Sequence, residues 1–177
     1  MDLNKVSIGP NPPSEVNVVI EIPQGGAPIK YEFNAASGCL FVDRFIHMPV
    51  SYPANYGFVP HTLCSDGDPC DVLVVSQTPV TPLAVVPCRP IGGIAMVDED
   101  HKIIAVPVER LNPYFVGVRN VADLPPILHE QITYFFNHYK DLEEGMSAKV
   151  SRWMELDETL EYISAAIARC RHQARNS

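Results

Sequence analysis

Three aspartates occupy one six-residue segment, residues 66–71, which reads D-G-D-P-C-D and which we call the acidic turn. Gly67 tolerates backbone angles that other residues avoid, and Pro69 has a fixed φ and no N–H, so the segment is predicted to form a rigid tight turn. Two carboxylates about 5 Å apart repel by about 3 kcal/mol at an effective dielectric constant of roughly 20. A hard cation would relieve this repulsion, and oxygen-only ligands favour Mg²⁺, Mn²⁺ or Ca²⁺ over zinc.

The same residue types also build ordinary solvated turns, so the acidic turn alone does not establish a metal site. A calcium-binding EF-hand fits poorly, because Gly67 falls at the second loop position and Gln77 stands where a bidentate Glu is expected. Residues 72–75 then form an apolar run that is typical of a buried strand. Asp71 is therefore predicted to lie where a turn enters a sheet.

The composition narrows the possible function classes. The chain has 177 residues, 46% of them hydrophobic, which suits one domain spanning residues 1–177 with a sizeable core. Its net charge of −8 argues against a nucleic-acid surface, which needs clustered Lys and Arg. No apolar run approaches the roughly 18 residues that cross a bilayer, and the start lacks the apolar centre of a signal peptide. We therefore expect a cytoplasmic protein without a nucleic-acid or membrane partner.

The cysteines and histidines do not suggest a disulfide framework or a zinc site. The five cysteines are odd in number and show no C-x-x-C spacing, and the six histidines show no H-x-x-x-H spacing. Reduced, partly buried thiols are therefore predicted. Cys70 lies among carboxylates that disfavour a thiolate, so it is not proposed as a nucleophile.

Most of the chain up to residue 108 has the pattern of short β-strands. Residues 16–22 are rich in β-branched side chains, and residues 29–33 alternate apolar and charged side chains. Together with residues 39–42 they are predicted to form an antiparallel meander. Closely spaced apolar runs follow, which favour a closed or nearly closed barrel. These runs are residues 72–75, 83–86, 91–97 and 103–108.

The last third of the chain changes to a helical period. A first helix is predicted with Pro125 and Pro126 in its first turn, Asp123 as its cap and Gly145 as its end. A second helix is predicted over residues 156–169, where apolar side chains form one stripe. The predicted fold class is therefore mainly β with α, that is, α+β.

Charged residues recur at the predicted ends of these elements. A second acidic cluster occupies the hairpin turn of residues 98–102, and Lys30, Arg44, Lys102 and Lys140 lie at or near element ends. Carboxylates can anchor divalent metals, while cations and phenols can bind phosphoryl oxygens. Chemistry at phosphorus is the function that this combination indicates.

Six segments, in this order, resemble motifs of the soluble family I inorganic pyrophosphatases, and most closely those of the bacterial type. The D-G-D-P-x-D signature is highly specific when R-F and Y-P-x-N-Y-G segments precede it, and the similarity covers about residues 16–153. The segments are V-V-I-E-I-P at 18–23, P-I-K-Y-E at 28–32, F-V-D-R-F at 41–45, Y-P-A-N-Y-G at 52–57, D-G-D-P-C-D at 66–71 and H-Y-K-D-L-E at 138–143.

This resemblance implies a five-stranded OB-like closed β-barrel with two C-terminal helices packed outside it. It implies an enzyme that hydrolyses inorganic diphosphate to two orthophosphates with several Mg²⁺ ions per site, for which Mn²⁺ or Zn²⁺ are possible substitutes. Bacterial members of the family are typically hexamers, so the resemblance also implies a homohexamer.

The resemblance assigns the carboxylates to metals and to proton transfer. Asp68 would be the general base that takes a proton from a water lying between two metals, with Asp71 bridging those metals. The first metal would be held by Asp66, Asp71 and Asp100. A metal arriving with the substrate would be bound by Asp98 and Asp100. Metals would be supported, directly or through water, by Glu21 and Glu32.

The resemblance assigns the cations and phenols to the substrate. Tyr52 would stand close to the site without binding the substrate. Catalytic roles beside that of Asp68 would fall to Lys30, Arg44 and Tyr56. The phosphates would be bound by Lys30, Arg44, Tyr56, Lys102, Tyr139 and Lys140.

The turn at residues 98–102 departs from the family pattern, because bacterial members usually carry a few more residues there. The metal-bridging role given to Asp100 would pass to Asp98 or Glu99 if the gap were placed differently, so Glu99 is kept as an acid beside the site.

Two other functions remain open from the residues alone. One is an OB-like binding module, which would need an exposed aromatic and basic groove that a net charge of −8 disfavours. The other is a metal-dependent hydrolase of nucleotides or phosphate esters, although the sequence contains no G-x-x-x-x-G-K-[ST] phosphate-binding loop.

Overall fold

The computed structural model describes residues 2–176, which form eight β-strands, two α-helices and three short 3₁₀ helices. The strands are β1 (Val16–Ile22), β2 (Ile29–Asn34), β3 (Cys39–Phe45), β4 (Asn55–Phe58), β5 (Asp71–Val74), β6 (Val85–Met96), β7 (Lys102–Pro107) and β8 (Val150–Met154). The α-helices are α1 (Pro126–His138) and α2 (Leu156–Asn176), and the 3₁₀ helices are Leu3–Lys5, Pro113–Phe115 and Val121–Asp123.

Five of these strands close into a ring. β1 pairs with β4 on one side and with β6 on the other, so the order β1, β4, β5, β7, β6 returns to β1. β5 and β7 are parallel, whereas the other neighbours in the ring are antiparallel. β8 pairs with β6 outside the ring. The predicted fold class, mainly β with two helices and a five-stranded ring, is confirmed.

The ring strands are buried on both faces, which explains their continuous apolar runs. Leu73 faces a cluster that includes Phe136 of α1. Its neighbour Val72 points the opposite way, into a second cluster that includes Ile163 of α2. Successive side chains of a strand alternate between faces, so each helix covers a different set of strand residues. None of the helices in residues 2–176 is long and apolar enough to span a membrane.

The predicted antiparallel meander of the first three strands is wrong. β2 and β3 form a separate two-stranded sheet, and β1 pairs with β4 and β6 instead of β2. β1 is buried almost throughout, so it is stabilised by a neighbour on each edge. β2 and β3 are largely half-buried or exposed, and as a hairpin they can stand apart from the ring.

One predicted pair of strands is in fact a single strand. The runs at residues 83–86 and 91–97 were predicted separately because prolines interrupt them, but β6 continues from Val85 to Met96. Its pairing with β7 shifts register between Pro90 and Gly92. Irregularities of this kind are where a strand tolerates the missing N–H of proline.

The helix boundaries also differ from the prediction. α1 ends at His138 rather than Gly145, because turns closed by i to i+3 hydrogen bonds, such as Glu143 N–H to Lys140 O, replace the helical bonds. Asp123 does not cap α1, since its carboxylate accepts the N–H groups of residues 119 and 120 before the preceding 3₁₀ helix. α2 extends to Asn176, beyond the predicted residue 169, and no Gly or Pro interrupts it. The prediction missed β8.

Gly57 is required where β1 and β4 pair, so we expect Gly57→Ala to destabilise the protein. A Cβ added at this glycine would lie 2.0 Å from the carbonyl oxygen of Val19, a backbone atom that cannot rotate away. The free energy of unfolding should fall by about 2–4 kcal/mol, as measured by urea titration. Gly117→Ala is the matched control, because a Cβ there meets nothing within 4 Å. Equal stability of the two variants would contradict this account of the β1–β4 contact.

Candidate active site

A cleft of about 290 Å³ gathers almost every residue predicted for the site. Its lining contains carboxylates, cations and phenols from six different strands, from the turns before β4, β5 and β7, and from the segment after α1. The carboxylates are Glu21, Glu32, Asp66, Asp68, Asp71 and Asp100; the cations are Lys30, Arg44, Lys102 and Lys140; the phenols are Tyr52, Tyr56 and Tyr139.

The parallel pairing of β5 and β7 creates the centre of this cleft. Asp71 and Lys102 are register partners at the first positions of their strands. The Lys102 ammonium group donates to Asp71 Oδ2 at 2.5 Å and also to Asp100, and the lysine is only 3% exposed. Burial alone would lower the pKa of Lys102, but the two carboxylates outweigh burial and raise it. Lys102 is therefore a cation fixed between two carboxylates.

The β2–β3 hairpin supplies a second group of charges. Lys30 and Arg44 are register partners on the two strands. Lys30 forms an ion pair with Glu32 and lies 3.4 Å from the Asp43 carboxylate, which is also 3.9 Å from Arg44 Nε. Burial would lower the pKa of Lys30, but its hydrogen bond and charge interaction with Glu32 raise it. Both cations therefore enter the cleft with part of their charge balanced.

The acidic turn is held by its own backbone. The Asp66 carboxylate accepts the N–H of Asp68 at 3.0 Å, and the carbonyl of Asp68 accepts the N–H of Cys64 at 2.7 Å. The Asp68 side chain is left exposed at the cleft. Partial burial, and then repulsion from Asp66 and Asp71, raise the pKa of this carboxyl group. The turn thus presents Asp68 as a carboxylate with an increased affinity for a proton.

Glu21 is the buried acid of the cleft. Its carboxylate accepts the N–H of Phe33 at 2.6 Å, which ties β1 to the hairpin. Burial raises the pKa of Glu21 to about 8; the hydrogen bond from Phe33 opposes this shift, and repulsion from Asp71 adds to it. Glu21 is therefore both a link between two sheets and a carboxyl group that binds a proton readily.

Three tyrosines line the cleft within an aromatic cluster. The ring centroids of Tyr52 and Tyr56 are 5.0 Å apart, and Phe135 of α1 packs against Tyr52 at 4.6 Å and stacks on Tyr139 at 5.1 Å. Burial raises the pKa of all three phenols, that of Tyr139 to about 12. The phenols therefore keep their protons at neutral pH and can donate hydrogen bonds.

Asp98 and Glu99 are the two predicted site residues that the structure does not bring into the cleft lining. Both are exposed in the turn between β6 and β7, where Glu99 has a φ of 64°. The pKa of Lys140 is lowered by burial and by Arg44, and Asp98 is close enough to oppose this shift by charge. Asp98 therefore acts on the cleft through its charge.

Sequence patterns assigned no role to two residues that support the cleft. The Asp43 carboxylate interacts with both Lys30 and Arg44. Its position directly before Arg44 in the sequence was the one feature that could have indicated this role. Asn55 is fully buried; its amide oxygen accepts the N–H groups of Gln24 and Val80, and its nitrogen donates to Ser76 Oγ. Asn55 holds the start of β4, directly before Tyr56.

Fold and cleft together define a class of protein: a five-stranded β-ring with helices outside it, whose site combines carboxylates with cations and phenols. The family model described as inorganic pyrophosphatase matches residues 18–171. The chain belongs to the inorganic pyrophosphatase family.

Similar proteins agree with this assignment over nearly the whole chain. An inorganic pyrophosphatase from Caulobacter vibrioides is 58% identical over 172 residues, covering 96% of this chain and 97% of that protein. A crystal structure of an inorganic phosphatase from Anaplasma phagocytophilum superposes with a TM-score of 0.92 at 42% identity, covering 94% of this chain and 99% of that one. The inorganic pyrophosphatase from Thermus thermophilus gives a TM-score of 0.90 at 35% identity, with 97% and 99% covered.

The raised pKa of Glu21 predicts a pH dependence of stability that Glu21→Gln should remove. The folded state binds a proton at Glu21 up to about pH 8, whereas an unfolded Glu loses it near its ordinary pKa, so stability falls as pH rises through this window. With a chelator present, the free energy of unfolding of the unsubstituted protein should fall by roughly 2–4 kcal/mol between pH 5 and pH 8 through this group.

Chemical unfolding at several pH values measures this difference. Glu21→Gln can still accept the N–H of Phe33, so its stability should decline less over the same range. Glu161→Gln, an exposed change on α2, should leave the decline unaltered. Parallel pH profiles for the unsubstituted protein and Glu21→Gln would show that Glu21 does not hold a proton in the fold.

Proposed function

We propose that this chain hydrolyses inorganic diphosphate to two orthophosphates by attack of a metal-activated water, with Asp68 as the general base. The observation that carries the proposal is the joining of six carboxylates with four cations and three phenols in one cleft. A volume of about 290 Å³ suits a compact, multiply charged diphosphate better than a nucleotide with its sugar and base. The excess of carboxylates also disfavours nucleic acid as the ligand.

The donor atoms of the cleft fit a hard divalent cation, for which we propose Mg²⁺, with Mn²⁺ or Zn²⁺ as substitutes. Among residues 2–176, no three carboxylate, imidazole or thiol groups converge as a ready-made metal site. Instead the Lys102 ammonium lies between Asp71 and Asp100, which marks this point as one where positive charge is stabilised. The residues proposed to hold metal are Asp66, Asp71 and Asp100, with Asp98, Glu21 and Glu32 in support.

Divalent ions would neutralise phosphate charge and lower the pKa of the attacking water. Asp68 would accept a proton from the attacking water, and its raised pKa brings the carboxylate closer to the working pH, where a general base is most effective. The backbone hydrogen bonds of the acidic turn hold the main chain of Asp68 in place, so its side chain is free to accept the proton.

Cations and phenols bind the two phosphate groups. Arg44 offers a planar fork of N–H donors that suits phosphate oxygens, and Lys30 and Lys140 contribute compact charges on either side. Tyr56 and Tyr139 remain protonated because burial raises the pKa of each, so they donate to phosphate rather than repel it. Lys102 neutralises charge at the base of the cleft, and Tyr52 fixes the ring of Tyr56 by packing against it.

Two further features are proposed with this function. A cytoplasmic location is supported by the five free cysteines, since reducing compartments keep thiols free. A homohexamer is supported by the family resemblance and by exposed apolar side chains on α1, such as Ile127 and Tyr134. Sedimentation that finds only monomers would contradict the second feature.

Asp68→Asn should abolish most diphosphate hydrolysis while leaving the fold intact. The amide keeps the size of the carboxylate but cannot accept the proton, so phosphate release with Mg²⁺ should fall by about 10²- to 10⁴-fold. Asp157→Asn, an exposed change in the first turn of α2, is the control and should retain activity.

ATP and a phosphomonoester are assayed in parallel. Faster release from either than from diphosphate would favour the alternative hydrolase, and full activity of Asp68→Asn would remove its role as base.

Mg²⁺ should stabilise the folded protein, and Asp66→Asn should weaken this effect. At an ion concentration one hundred times Kd, binding contributes about 2.7 kcal/mol, which corresponds to roughly 5–10 °C in Tm for a chain of this size. Asn at position 66 can still accept the N–H of Asp68 through its amide oxygen, so the turn survives while one charge is lost. Thermal unfolding with Mg²⁺ and with chelator measures the increment. An identical increment in Asp66→Asn would exclude Asp66 as a ligand.

A further inference from the structure

Two cysteines touch each other beneath the acidic turn. The sulfur atoms of Cys64 and Cys70 are 3.4 Å apart, and both are free thiols in the reduced state. A disulfide bond needs the two sulfurs to approach to about 2.0 Å, so side-chain rotation and a shift of the backbone must together close the gap. Cys64 and Cys70 therefore form a pair that is placed for oxidation, although neither binds substrate or metal in the proposed function.

The pair encloses part of the catalytic machinery. The segment between the two cysteines contains Asp66 and Asp68, and Asp71 follows Cys70 directly. The N–H of Cys70 donates to Thr62 Oγ1 at 2.9 Å, and its carbonyl accepts the N–H of Val59 at 3.0 Å. These bonds fix the Cys70 end of the segment. The N–H of Leu63 donates to the carbonyl of Ala166 in α2 at 3.1 Å, which holds the chain just before Cys64. A bond between the sulfurs would therefore strain the turn that lies between these two fixed points.

Access from solvent is available at one member of the pair. Cys70 is fully buried, but Cys64 retains 7% exposure and accepts a hydrogen bond from the Tyr162 hydroxyl group at 3.0 Å. Tyr162 and Ser65, the neighbour of Cys64, line an open polar cavity together with His101 and Arg169. A small polar oxidant can enter this cavity and approach Cys64 first.

We propose that Cys64 and Cys70 form a modification site at which a hydroperoxide, such as hydrogen peroxide, produces an intramolecular disulfide that reversibly lowers diphosphate hydrolysis. Peroxide transfers one oxygen atom to Cys64, which becomes a sulfenic acid while water is released. The Cys70 sulfur then attacks the Cys64 sulfur, and the sulfenic oxygen leaves as a second water with the proton of Cys70. Two thiols and one peroxide thus yield one disulfide and two waters, and a dithiol reductant reverses the change.

The loss of activity follows from the position of the turn. The Cys64 N–H donates to the carbonyl of Asp68, so movement of Cys64 displaces the backbone that holds the proposed base. A displacement of about 1 Å in a catalytic group can reduce the rate about 10²-fold. We expect oxidation to reduce activity by about 10- to 100-fold and dithiothreitol to restore it.

The test combines peptide mass and activity. The protein is treated with hydrogen peroxide in the presence of a chelator, which prevents metal-catalysed oxidation, and is then digested without reduction. Because no Lys or Arg lies between the two cysteines, a protease that cleaves beside aspartate is used. The expected product is a cross-linked pair of peptides containing Cys64 and Cys70, lighter by two hydrogen atoms than the reduced pair. Activity is assayed with Mg²⁺ before oxidation, after oxidation and after reduction.

Single substitutions identify the sulfurs responsible. Cys64→Ser and Cys70→Val should each prevent the cross-link and keep their own starting activity after peroxide, and either variant suffices if the other does not fold. Cys88→Ser is the matched control, because Cys88 is also fully buried but lies outside the pair, so this variant should still be inactivated.

Two results would overturn the proposal: a cross-link through another cysteine such as the exposed Cys39, or equal inactivation of Cys64→Ser and the unsubstituted protein. The activity measurement rests on the proposed function, whereas the peptide mass does not. Absence of diphosphate hydrolysis in the reduced protein would therefore refute the function and leave the disulfide to be decided by mass alone.

Discussion

The buried ammonium group of Lys102 is the interaction on which the cleft depends. A cation that is 3% exposed would be strongly destabilising if it were alone, and its contacts with Asp71 and Asp100 offset that cost. The contacts exist because β5 and β7 run parallel, which sets Asp71 beside Lys102 at the point where both strands begin. Parallel neighbours need a long connection, and β6 occupies it and closes the ring. The parallel pairing of β5 and β7 therefore determines both the closure of the ring and the pairing of Lys102 with Asp71.

Two carboxyl groups of the cleft, those of Glu21 and Asp68, have no ion pair of this kind among the described residues. Glu21 and Asp68 both have a raised pKa, because burial and neighbouring carboxylates disfavour their ionised forms. Each such group lowers the free energy of unfolding at neutral pH. Binding of a cation or of a proton at the group would restore the lost stability. A cluster of carboxylates in one cleft therefore destabilises the folded protein, as is common where a site must bind cations.

Local patterns in the sequence predicted the parts of this arrangement that depend on near neighbours. The acidic turn, most of the strands and the family motifs were visible because each depends on a few adjacent residues. The sequence did not predict the departure of β2 and β3 from the ring, since a period-two pattern is the same whichever strand pairs with it. The roles of Asp43 and Asn55 were missed for a similar reason, because their partners are set by tertiary structure. The helical period continued to Leu142, but that side chain is 60% exposed, so no packing extends α1 past His138.

The acidic turn shows how packing beneath a site and chemistry at its surface share the same residues. Its carboxylates point into the cleft, while the thiols of Cys64 and Cys70 point into the cluster against α2, on the opposite side of the backbone. The charge chemistry needs only that this space be filled, and a serine or an aliphatic side chain could fill it. Two sulfurs in contact can also be oxidised to a disulfide, a reactivity that packing alone does not require. Since Asp68 is held through the backbone of Cys64, a change in the bond between the sulfurs is transmitted to the cleft without any contact between thiol and substrate.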